Sequence, residues 1–126
     1  MRLYDIGLAS FAIDAPLKWT DNLLSQHFVP GVRSIKRGVA RQFSYQTLVR
    51  LAIIRQLHTS FGVSVAEAVK IADELWESDG HFYSVGPLRL ILDMQALEHT
   101  LQDRLRDAHE SVPVRKRGRP PKPDAK

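Results

Sequence analysis

The chain has no cysteine among its 126 residues. Disulfides, thiolate zinc sites, iron–sulfur clusters and redox-sensing thiols are thereby excluded, and a reducing compartment suits it. No apolar run approaches the roughly 20 residues a membrane-spanning helix needs. The opening Met1-Arg-Leu-Tyr-Asp5 lacks the basic and apolar regions of a secretory leader. A cytoplasmic protein is the expectation. Glycine loops for phosphate and nucleophile motifs are also missing. The five histidines are scattered; His99, Asp103 and Asp107 would share a helical face, but such a set on a solvated helix is ordinary surface. Neither an enzyme, a metal nor a cofactor is expected.

The most informative scarcity is of acid. From Asn22 to Ala66 there is no aspartate or glutamate, while Arg33, Lys36, Arg37, Arg41, Arg50 and Arg55 are all basic. From Glu67 to Glu110 the balance reverses, ten acids facing four bases, and from Ser111 onward six bases face Asp124 alone. The net charge of +4 conceals this segregation. Uncompensated arginines repel one another unless something anionic is near, so a polyanion, double-stranded DNA first, is the natural partner.

Hydrophobic residues make up 44% of the chain, enough for one modest core and a tail. Ile6, Leu8, Ala9, Ala12 and Ile13 fit two turns of helix. A second helix is predicted from about Ala15 to Gln26, with Asp14 as N-cap, Pro16 in its first turn and Leu17, Thr20, Leu23 and Leu24 inward. Residues 28–43 have no helical period and read as a loop or small β-hairpin rich in bases. Ser44 and Gly62 bracket a helix with Leu48, Leu51, Ala52, Ile54 and Leu57 on its apolar side, and Ser64 with Glu67 opens the next as a capping box. These two helices should pack as a hairpin, and Arg50 and Arg55 lie where the acidic half could pair with them. Phe82–Val85 and Leu88–Ile91 flank Gly86-Pro87, a second possible β-hairpin. From Asp93 to Glu110, Met94, Leu97, Leu101, Leu105 and Ala108 form a narrow apolar stripe. Leu97, Leu101 and Leu105 would either join two copies in a homodimer or cover the chain's own core. The tail after Ser111 should be disordered alone.

That tail carries the sharpest motif. Arg115-Lys-Arg-Gly-Arg-Pro-Pro-Lys122 resembles the AT-hook, with the Gly118, Arg119 and Pro120 core complete. Gly118 has no side chain to strike the groove floor, and Pro120 keeps the backbone extended. Arg117 and Arg119 can lie in a narrow AT-rich minor groove, where negative potential is concentrated and the guanine amino group is absent. Arg115, Lys116 and Lys122 would hold phosphates.

Residues from about 3 to 75, in the order helix, turn, helix, basic wing and helical hairpin, resemble the MerR-type winged helix-turn-helix. The resemblance implies that Leu17-Lys-Trp-Thr-Asp-Asn-Leu-Leu24 enters a major groove, that the segment from Val29 to Arg41 is a phosphate-touching wing, and that Arg41-Gln-Phe43-Ser is the junction beyond it. Phe43 stands where that family has tyrosine, so a hydroxyl contact to phosphate would be lost. Lys18, Asn22 and Gln26, spaced by four, share one side, and Asn or Gln pairs bidentately with adenine. Trp19 is either a fourth contact or part of the core. Arg33, Lys36, Arg37 and Arg41 suit phosphate better than bases.

The expected fold class is mainly α: a winged helix-turn-helix domain over residues 1–77, a possible β-hairpin and C-terminal dimerisation helix over 78–110, and a basic tail over 111–126. The expected function is transcriptional regulation at AT-rich DNA in the bacterial nucleoid, with no small-molecule effector in view because no further domain could enclose one. An architectural nucleoid or recombination-accessory protein is the first alternative. An antitoxin- or adaptor-like interaction module is the second.

Overall fold

A computed structural model describes residues 4–33 and 42–111. It opens with a two-residue strand, β1 (Tyr4–Asp5), that runs straight into α1 (Ile6–Ala12). Asp5 is also the N-cap, its carboxylate accepting from the Leu8 N–H at 2.8 Å, which satisfies one of the helix's orphan donors. α1 ends at Ala12, and the chain turns at Asp14, whose φ of 58° is the left-handed conformation that aspartate tolerates better than most residues.

Asp14 does not cap the second helix; α2 (Leu17–Gln26) has Pro16 at its N-cap and no side-chain cap. The residue before a proline is pushed to extended backbone, so Ala15 cannot begin a helix. The inward set changes with the start: Thr20 and Leu23 are buried, Leu24 is half-buried and Leu17 is exposed. α1 and α2 are held by a buried hydrogen bond from Ser10 Oγ to Thr20 Oγ1 at 2.8 Å, each hydroxyl relieving the other's desolvation.

The stretch expected as a loop or small hairpin yields β2 (Val32–Arg33) and β3 (Gln42–Phe43), antiparallel, with β1 on the other side of β3. Tyr4 and Val32 both register on Phe43, which is fully buried. Gly31, at φ 89°, leads into β2; a Cβ there would collide with Thr47 Oγ1, and that hydroxyl donates to the Pro30 carbonyl at 2.9 Å. Only glycine meets both demands.

α3 (Tyr45–Phe61) lies between the expected limits: Ser44 caps its start and Gly62, at φ 69°, its end. It is buried nearly all round, from Thr47 and Leu48 through Ile53 and Ile54 to Leu57, and so forms the axis of the fold. α4 (Val65–Glu77) returns along it, its Ser64 Oγ accepting from the Glu67 N–H at 3.2 Å and Ala68, Ile71, Ala72 and Leu75 buried. β4 (Phe82–Val85) and β5 (Leu88–Ile91) pair antiparallel from Phe82–Ile91 to Val85–Leu88. The two-residue turn has Gly86 at φ 55°, the positive first position a tight hairpin requires.

α5 (Met94–Ser111) follows, with Asp93 accepting from the Ala96 N–H at 3.1 Å. It lies over α1 and α3. Tyr4, Phe43, Leu75, Leu101 and Leu105 belong to one core cluster. The described residues are 65% helical, in agreement with a mainly α class, and none of their helices is long and apolar enough to cross a membrane.

Candidate nucleic-acid interface

α2 is divided lengthwise. Thr20 and Leu23 are buried against the body, while Lys18, Asn22 and Gln26 are all exposed, so the spacing of four keeps them on the solvent side as the periodicity implied. Trp19 is not with them. It is half-buried against the core, its ring covered by the Arg55 guanidinium at 4.8 Å and 5.9 Å from the His58 ring. Counting it among the groove-facing residues is therefore corrected. A large apolar ring on an amphipathic helix gains more from burial than from solvent contact.

Beyond α2, Phe28 is 82% exposed. It lies between α2 and the sheet, in a segment without periodicity, so nothing in the pattern singled it out. Of the expected wing residues, Arg33 pairs its backbone with Gln42, and Lys36, Arg37 and Arg41 lie outside the described residues, as does the whole hook from Arg115 to Lys122. Within the wing β2 pairs antiparallel with β3, which follows the wing directly.

The remaining arginines of the acid-free stretch point elsewhere. Arg50 donates to Asp73 at 2.7 Å and lies over Trp76, 5.0 Å from its centre; this is the pairing with the acidic half that the charge pattern suggested. Arg55 pairs with no acid among the described residues. Its Nε donates to the Asp14 main-chain carbonyl at 3.1 Å.

The stripe on α5 also has a definite place. Leu101 and Leu105 are 2% and 5% exposed within a single chain, and Leu97 is half-buried. Of the two expectations for Leu97, Leu101 and Leu105, joining two copies or covering the chain's own core, Leu101 and Leu105 take the second, with α1 and α3 as the covering surface.

Two histidines have structural roles, His58 Nδ1 reaching the Val63 carbonyl at 2.8 Å and His81 Nδ1 the Leu75 carbonyl at 3.0 Å. His99 is 3.6 Å from Asp103, which also accepts from Arg106 at 3.0 Å. Among the described residues no group of three or more such side chains could hold a metal ion. Burial raises the pKa of Tyr45 above 10.0, the neighbouring Gln102 side chain opposes the shift and the Glu98 carboxylate adds to it. Its hydroxyl oxygen is enclosed beside these two side chains without a well-formed hydrogen bond to either.

No family model, characterised protein or solved structure matches the chain.

Proposed function

We propose that the protein is a DNA-binding transcriptional regulator whose body is a winged helix-turn-helix and whose tail is an AT-hook. The observation that carries the proposal is the division of α2: Lys18, Asn22 and Gln26 exposed together on a helix whose opposite side is anchored by Thr20 and Leu23. That is what a major-groove helix requires, a rigid base and a polar edge able to reach bases. The order β1-α1-α2-β2-β3-α3-α4 suits the MerR-type arrangement, with Lys36, Arg37 and Arg41 carried between β2 and β3 as phosphate contacts. Phe28 adds an apolar side chain that a groove would cover.

In this account the body and the hook each bind weakly. The tail begins directly after α5, so binding by one raises the local concentration of the other. Replacing Lys18, Asn22 and Gln26 together by alanine tests the helix, because all three are exposed and the fold does not depend on them. Fluorescence anisotropy on an AT-rich duplex at fixed salt should show affinity lower by about tenfold or more, since base contacts of this kind discriminate at that level. Unchanged binding would remove α2 from the interface.

One observation favours a second reading. Val85 and Leu88, cross-strand partners on one face of the β4–β5 hairpin, are 55% and 74% exposed, and Ile91 on the other face is 67% exposed; exposed apolar side chains on both faces suit a protein partner. Co-purification of a stoichiometric protein partner, together with no duplex binding, would put the interaction module first.

A further inference from the structure

Asp14, Arg55 and Arg104 come from three separate elements and meet at one place, where the end of α1 faces α3 and α5. A cleft of about 380 Å³ opens between them, inside the range of small-molecule sites. Ala12, Ile13, Ala52, Leu97 and Leu101 give part of its wall hydrocarbon, and Gln56, Thr59 and Thr100 add polar groups beside them. A second, more open cleft, bounded by Ser10, Phe11 and Pro16, shares the same three charged residues.

The charges there are poorly matched. Arg55 spends its Nε–H on the Asp14 carbonyl and has no carboxylate partner among the described residues. Arg104 reaches the Asp14 carboxylate only at 3.8 Å, and that carboxylate is 79% exposed. One guanidinium without a carboxylate partner and a second on a loosely held one therefore line the same cleft beside a partly apolar wall. A planar guanidinium is suited to bidentate carboxylate binding, and the wall suits a compact hydrocarbon body. We propose that this cleft binds a small monocarboxylate with an aromatic or branched apolar body, its carboxylate between Arg55 and Arg104 in place of the Asp14 side chain. The site reaches the rest of the molecule through Arg55, which also covers Trp19 of α2 and holds the left-handed Asp14. If α2 reads DNA as proposed above, occupancy of the cleft bears on that helix.

The test is a 15N–1H NMR titration of the full chain with benzoate, using benzamide as the neutral isostere. Benzoate should give saturable shifts at the Asp14, Arg55 and Arg104 amides and at the Trp19 indole, and benzamide should not saturate over the same range. Arg104→Gln, a change at a partly exposed position, should weaken benzoate about tenfold or more, the loss expected of a charge-assisted contact. Asp14→Asn removes the competing carboxylate while keeping a residue that accepts the left-handed conformation, and should tighten binding. No saturable shift, equal binding of benzamide, or an Arg104→Gln chain that binds benzoate like the wild type would each overturn the proposal. No DNA is present in the titration, so its failure and that of the DNA-binding proposal are distinguishable.

Discussion

Arg50 and Arg55 stand five residues apart on α3, come from the same acid-free stretch and each cover a tryptophan, yet the two sides of the helix use them differently. Toward α4, Arg50 is 11% exposed and locked to Asp73 over Trp76. Toward α1 and α5, Arg55 holds a main-chain carbonyl, covers Trp19 and fronts an open cleft. A guanidinium with a carboxylate partner is committed to the fold. One that meets only a carbonyl and a ring retains uncompensated charge for a ligand. Position in an acid-free run therefore does not settle an arginine's role; the neighbouring helix does.

The largest effect should come from the α5 side. Leu101→Ala, at a 2% exposed position, should lower stability by about 2–5 kcal/mol in urea denaturation, with an unchanged sedimentation coefficient; a shift in association state instead would return the stripe to an interface between copies. On the α4 side, Asp73→Ala strands the nearly buried Arg50 and should cost about 1–3 kcal/mol by the same assay. Arg55→Ala should cost less, about 1 kcal/mol, since it removes one hydrogen bond and one ring contact, while altering Trp19 fluorescence. A cost equal to that of Asp73→Ala would erase the contrast between the two sides.

The smallest effect concerns Tyr45, at the start of α3. Its folded pKa is raised above 10.0 by burial, so its contribution to stability is full below that pH and is lost as pH rises through the higher folded value. Tyr45→Phe should change stability by less than about 1 kcal/mol at neutral pH, because the hydroxyl it removes makes no well-formed hydrogen bond, and should lessen the decline in stability above pH 10. An identical alkaline decline in the variant would place the titration elsewhere.

Much of the fold was legible because the residues that start and stop elements act locally. Ser44 and Gly62 bound α3, Ser64 opens α4, and Gly86-Pro87 turns the hairpin, each for a reason contained within a few residues. Asp14 misled because aspartate serves equally as an N-cap and as a left-handed turn residue, and Pro16 decided between them. The polar edge of α2 was legible from its spacing of four. Trp19 was not resolved by spacing, since its place depends on Arg55 and His58 arriving from another helix. The α5 stripe announced an apolar face without saying which surface covers it. The cleft could not be read at all, being assembled from one loop residue and side chains of α1, α3 and α5 that no local pattern connects.

Two separate contacts with duplex DNA, as proposed, can be separated by fluorescence anisotropy of the full chain, and of a chain ending at Val112, on AT-rich and GC-rich duplexes across a salt series. The full chain should prefer AT-rich DNA, and truncation should abolish the preference and flatten the salt dependence while weak duplex binding persists. Equal behaviour of the two chains would rule out the hook, and no binding by either would rule out both contacts.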